Sequence, residues 1–150
     1  MNSKFPIIVL LFCFALSYGQ QEKDSMAIVD ILQKEAATWR SGDIEAHADC
    51  WQLRTYSKVL ISTGTGKILD VDPKYIIEPS PNMVGNGGYA ELSNFKMNIS
   101  GNNAWVSHDE ISVSPDGQKS FSKEIRILEK ISGEWKLVGQ SIHVDGEYKE

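Results

Sequence analysis

The sequence predicts an α+β domain in which N-terminal helices pack on a strongly curved, mostly antiparallel sheet. Three observations predict it. Apolar residues recur at helical spacing as far as Cys50, β-branched alternation takes over beyond Trp51, and glycine-bearing turns then separate one strand from the next. Helices followed by a run of strands is the arrangement in which helices cover one face of a sheet.

The chain opens with Lys4 and an apolar run from Phe5 to Leu16, followed by Ser17-Tyr18-Gly19 and a polar stretch from Gln20 to Asp24. That order is the pattern of a secretory signal peptide, and the run falls short of the roughly 20 apolar residues a bilayer span needs. Ser17 and Gly19 supply small residues three and one before a cut after Gly19. The expectation is a leader over 1–19 and a single domain over 20–150, exported to the periplasm or secreted, with no membrane attachment once the leader is gone. Cys13 lies within the apolar run, and Phe12 stands where a lipidation signal wants a small residue, which argues against a lipoprotein. Cleavage leaves Cys50 as the sole cysteine, so no intramolecular disulfide is expected. The net charge of −5 becomes −6 when Lys4 is lost, which speaks against nucleic acid as a partner.

The first helix is expected from Asp24, with Asp24 or Ser25 as its cap and Ile28, Ile31, Leu32, Ala36 and Trp39 as its apolar face. Arg40-Ser41-Gly42 supplies a basic last turn and a terminating glycine, and Asp43 caps a short second helix reaching Cys50. A strand through Tyr56, Val59 and Ile61 turns at Ser62 to Gly66 and returns over Ile68 to Val71. Asp72-Pro73 then starts one helical turn. Prolines and glycines crowd the segment from Glu78 to Tyr89, which reads as a loop placed to act as a lid. Three long strands follow, Glu91 to Ile99, Ala104 to Ser114 and Ser120 to Lys130, as an antiparallel meander. The tight turn Ser132-Gly133-Glu134 leads to a closing strand, Trp135 to Val144, before a charged, fraying tail at Glu147 to Glu150.

The stretch Glu124-Ile125-Arg126-Ile127-Leu128-Glu129-Lys130, followed after two turn residues by Gly133-Glu134-Trp135-Lys136-Leu137, resembles the C-terminal hairpin of SnoaL-like, DUF4440-type domains of the NTF2-like superfamily. Ala104-Trp105-Val106 is similar to the strand before it in that family, and Trp39-Arg40-Ser41-Gly42-Asp43 to the exit of its first helix. The resemblance covers most of residues 20–150, and its motifs are structural rather than catalytic. It implies a cone-shaped sheet closed by helices around one pocket, frequent homodimerisation through the sheet, and a range of functions from isomerases, dehydratases and cyclases to binding modules without chemistry. Fold alone therefore does not decide activity.

Strict alternation puts His108 and Glu110 on one face of their strand and Glu124 and Arg126 on the matching face of the next. We take these faces as concave, since small Ala104 and Val106 suit close helix packing and related association domains keep an arginine at the place of Arg126. Gly139, Ser141 and His143 of the closing strand then join them, unless a one-residue bulge exchanges the faces. In the catalytic reading, His108 or His143 moves a proton, tuned by Glu110 or Glu124, while Arg126 anchors an anionic group or polarises a carbonyl. In the plainer reading the charged residues form a cross-strand ladder on a solvated face. Trp51, just past the second helix, is expected to wall the pocket together with Glu124, Arg126 and Ser141, and Trp39 and Trp135 to be core.

His47, His108 and His143 have no metal-ligand spacing, so no metal is expected, and no cofactor. His47 three residues before Cys50 reads as packing more readily than as a nucleophile pair. Gly85-Asn86-Gly87-Gly88 lacks the strand and helix a phosphate loop needs. Asn98-Ile99-Ser100 fits a glycosylation acceptor only by a short motif. The sequence thus leads to three functions: a small-molecule-binding domain, a cofactor-independent isomerase, dehydratase or cyclase, and a homodimeric interaction module.

Overall fold

The computed structural model describes residues 5–147, and side chains over 19–145. The start of the expected leader, 1–4, and the end of the charged tail, 148–150, lie outside the described residues. Helix α1 runs Phe5–Ser41, well before the start expected at Asp24. Pro6 sits in its first turn, where a missing N–H leaves no bond unmade. A lone Gly19 costs only about 1 kcal/mol, so nothing between it and Asp24 stops the helix. Asp24 is accordingly no cap. It faces the sheet, where its carboxylate accepts from Lys130 Nζ at 2.6 Å and Trp135 Nε1 at 3.1 Å.

The stripe Ile28, Leu32 and Ala36 of α1 is buried. The helix ends at Gly42, φ 77°, where the N–H groups of Gly42 and Asp43 both donate to Thr38 O at 3.1 Å. A side chain at Gly42 would meet the Gly85 backbone at 3.1 Å, so close approach and left-handed conformation both call for glycine here. The loop expected as a lid is tied down at this point. Gly85 N–H donates to Trp39 O and Gly87 N–H to Arg40 O, each at 3.0 Å, which satisfies the helix's last carbonyls. Helix α2, Ile44–Asp49, starts at Asp43, whose side chain accepts from the Ala46 N–H.

The sheet has six strands: β1 Val59–Ser62, β2 Ile68–Val71 and, after the short helix α3 Lys74–Ile77, β3 Tyr89–Ser100, β4 Asn103–Val113, β5 Lys119–Ile131 and β6 Glu134–Glu147. Their order is β2-β1-β6-β5-β4-β3. β1 runs parallel to β6 and every other pair is antiparallel. The sheet is mixed and does not close into a barrel. Between the helices and its inner face lies the core, with Ile28 and Leu32 against Val59, Val106, Leu128 and Leu137. Burying one such leucine is worth about 1.5–3 kcal/mol. Among the described residues, no helix is long and apolar enough to cross a membrane.

Register shifts interrupt the long strands at three places, between Ser93 and Lys96, between Ser120 and Ser122, and between Ile127 and Leu128. Each inserts an extra residue in one strand, which bends it and sharpens the local twist. In β6 the extra residue is Val138, because Leu128 faces Leu137 while the adjacent Ile127 faces Gly139.

Candidate functional site

A cavity of about 400 Å³ lies between α1 and the inner sheet face. Its walls are apolar, with Ile61 of β1, Leu69 and Val71 of β2, Ile76 of α3 and Ile142 of β6 among them, and Met83 from the loop. Its floor is charged. Helix α1 brings Glu35 and Arg40, β4 brings Glu110, and β5 brings Glu124 and Arg126. Alternation along β4 and β5 delivers these last three to the same face, since Glu110 opposes Ser122 and Val106 opposes Arg126.

The floor is tightly bonded. Arg126 donates through Nη2 to Glu124 and through Nη1 to Gln140 of β6, and its Nη2 lies 3.6 Å from Glu35 Oε2. Ser122 Oγ donates to Glu124 Oε1 at 2.8 Å. Arg40 Nη2 donates to Glu110 Oε1 at 2.6 Å and to Ser112 Oγ at 2.8 Å, while its Nη1 closes on Ala36 O at 2.8 Å. Burial works against the Arg126 charge, but Glu124, Glu35 and Glu110 outweigh it and hold the guanidinium above its ordinary pKa. Burial also pushes Glu124 upward, yet Arg126 above all, then His108 and Ser122, keep it below the usual glutamate value. Glu110 goes the other way. Burial and then the charge of Glu124 raise it, and Arg40 and Arg126 only partly offset them. Two carboxylates on adjacent strands are thereby driven apart, one held ionised and one readily protonated.

The sequence-derived site residues divide at the Val138 bulge. His108, Glu110, Glu124 and Arg126 all lie buried on the inner side of the sheet, as a cluster rather than the solvated ladder of the plainer reading. Ser141 and His143 do not join them. Beyond the bulge Gln140 opposes Arg126 and Ile142 opposes Glu124, so Ser141 and His143 lie on the outer face opposite Ile125 and Lys123. There they hydrogen-bond each other at 2.9 Å. His108 is buried beside the floor without being among the cavity-lining residues: its ring stacks on Phe95 at 5.4 Å and its Nε2 lies 3.7 Å from Glu124 Oε2. Burial, with Arg126 adding to it, lowers the His108 pKa against the pull of Glu124, so the ring is neutral at neutral pH.

The tryptophans exchange roles. Trp51 bridges to Leu137 and is buried in the core, away from the cavity it was expected to wall. Trp39, expected in the core, walls the cavity instead and packs its ring 5.0 Å from His47. Glu35, Arg40 and Gln140 were not singled out from the sequence. A signal existed for Glu35: it sits between Leu32 and Ala36 on the apolar stripe of α1, where a carboxylate has to find a partner. Cys50 is fully buried and its thiol is pushed up to about 11, chiefly by burial, which leaves it inert as a nucleophile. His47 Nδ1 donates a hydrogen bond to Glu35 O at 3.1 Å. Among the described residues no group of three or more His, Cys, Asp and Glu side chains is placed to hold a metal ion.

The overall fold is similar to that of solved structures. An NTF2-like protein with a cystatin-like fold from Novosphingobium aromaticivorans superposes with a TM-score of 0.66 at 13% identity, over 89% of this chain and 90% of that one. A protein of unknown function with a cystatin-like fold from Nostoc punctiforme gives 0.65 at 15% identity, over 82% and 92%. An NTF2-like protein of unknown function from Shewanella baltica gives 0.59 at 16% identity, over 81% and 94%. The chain has the NTF2-like fold. No family model matches the sequence, and no curated protein matches it. The NTF2-like assignment thus rests on architecture, and chemistry has to be argued from the cavity.

Proposed function

We propose that this NTF2-like chain binds a small organic molecule in the cavity between α1 and the sheet. One observation carries the reading: a space of about 400 Å³, in the size range of ligand pockets, combines apolar walls with a floor of buried charges. Burying that many charges costs several kcal/mol per ion before pairing, and a filled apolar core would serve a purely structural module better. Screening soluble compounds by melting temperature tests this. Compounds that bind the cavity are expected to lose about tenfold in affinity on Trp39→Ala and nothing on Trp105→Ala, which lies on the opposite face. Indifference to Trp39→Ala, or no stabilising compound at all, would sink the reading.

A second reading is proton transfer, favoured by the opposed pKa directions of Glu110 and Glu124. Glu110, rather than either histidine, is the group poised to give and take a proton inside the cavity. With a bound compound in hand, deuterium uptake from solvent at an acidic C–H is the readout. Uptake lost in Glu110→Gln supports an enzyme, and no uptake in the parent leaves a binder.

The SnoaL-like subgroup and export rest on sequence features, namely the hairpin from Glu124 to Leu137 and the leader pattern ending at Gly19. Mass spectrometry of the protein from expressing cells is expected to find it beginning at Gln20 outside the cytoplasm, and an intact Met1 inside would overturn export.

A further inference from the structure

The charges that line the cavity do not cancel. Three carboxylates, Glu35, Glu110 and Glu124, face two guanidiniums, Arg40 and Arg126, and His108 beside them is neutral at neutral pH. The guanidiniums are engaged by the protein but keep some N–H groups unused. Both terminal nitrogens of Arg40 and both of Arg126 already donate to protein acceptors. Arg126 Nε is buried with no partner among the described residues. Among the described residues, Glu110 Oε2 and both carboxylate oxygens of Glu35 receive no hydrogen bond, while Glu110 Oε1 is held by Arg40. An anion entering here would have to sit among three carboxylates. A cation meets acceptor oxygens that take no hydrogen bond, in a lining with one carboxylate more than guanidiniums. Glu35 has only the longer contacts to Arg126 Nη2 at 3.6 Å and His47 Nε2 at 3.7 Å. Trp39 stands in the same wall, and an aromatic face attracts a positive charge.

We propose that the ligand is a monovalent organic cation, an amine or quaternary ammonium with an apolar body, its charge at Glu110 and Glu35 and its body against the apolar wall. This deepens the binding function proposed above and rests on it, while reversing the anionic or carbonyl ligand expected from Arg126 alone. Arg126 is a structural counter-ion in this scheme, not an anchor.

Calorimetry of the purified chain with three probes of similar size tests it: benzyltrimethylammonium, uncharged N,N-dimethylbenzamide and anionic phenylacetate. The cation is expected to bind about tenfold tighter or more than either of the others. Glu110→Gln is expected to remove that advantage, the cation then binding the variant no tighter than dimethylbenzamide does. Affinity for the cation should rise with pH as Glu110 ionises, because a group whose pKa is raised by burial and Glu124 becomes an anion only above the ordinary carboxylate range. The charged groups facing Glu110 are Arg40 and Glu35 from α1 and Glu124 and Arg126 from β5, with Ser122 opposite it on β5 and Leu92 on β3. Since His108 also titrates at low pH, the pH slope has to flatten in Glu110→Gln. Should that substitution perturb folding, Glu35→Gln is the second variant, with the same expected loss for the cation. Equal or tighter binding of phenylacetate or dimethylbenzamide overturns the cation assignment and leaves the binding function standing. If none of the probes binds, the cation assignment fails, and the open screen with Trp39→Ala decides separately whether the cavity binds anything.

Discussion

Glu110 shows how one residue trades stability against use. Its pKa is raised, so the fold prefers it protonated, and the sign of the linkage follows. The contribution is fully present below the ordinary glutamate value of 4.5 and is lost as pH rises through the higher folded pKa. At neutral pH, where a glutamate of the unfolded chain is ionised, Glu110 is therefore a liability to the fold. Glu110→Gln is expected to melt at a higher temperature than the parent at pH 7, with the gap closing as pH is lowered toward 4.5. A lower melting temperature at pH 7 would show that the bond to Arg40 dominates and that Glu110 is structural. A stability gain at a polar pocket residue is what a functional site predicts, because such sites are kept at the fold's expense. The glutamates of β4 and β5 were legible as a same-face group because side-chain period in a strand is two. Trp39 and Trp51 were not separable that way. Both are tryptophans near helix ends, and only packing decides which meets the core.

At the scale of elements the Val138 bulge decides the composition of the site. β6 is regular on either side of it, but the one-residue insertion moves Gln140 and Ile142 to the inner face and Ser141 and His143 to the outer. Deleting Val138 would restore strict alternation from Trp135 onward. The expected result is a loss of about 2–4 kcal/mol in urea unfolding, since the buried Val138 side chain would go while Gln140 stays opposite Arg126. A variant as stable as the parent would mean that the packing of the bulged Val138 contributes nothing to the fold. No residue type marks this bulge in the sequence, whereas Asp43 and Gly42 mark the break between α1 and α2 by helix capping chemistry. The start of α1 was missed for the converse reason. A polar segment without a breaker carries a helix onward, and Asp24 was read as a cap when its partners, Lys130 and Trp135, lie more than a hundred residues away.

For the whole molecule, the outer face of the sheet is the surface left uncovered by helices. Trp105 and Ile127 stand on it 45% and 48% exposed, with Ile125 beside them. We propose that this face makes a homodimer, as the resemblance to NTF2-like proteins implied. Sedimentation is expected to give a dimer for the parent chain and a monomer for the double variant Trp105→Lys, Ile127→Lys, with cavity binding retained because the two faces are separate. A monomeric parent would end the proposal.

The sequence by itself determined the α+β class, the order of helices and strands, and the pairing of His108, Glu110, Glu124 and Arg126 on one face. All of these follow from local periodicity and turn chemistry, which act over a few residues. The tertiary structure alone decided which tryptophan walls the cavity, that Glu35 and Arg40 of α1 complete its floor, and that Ser141 and His143 turn away from it. Those outcomes depend on the packing angle of a helix on a bent sheet and on one unpaired residue in β6, and neither is written in the spacing of apolar and polar side chains.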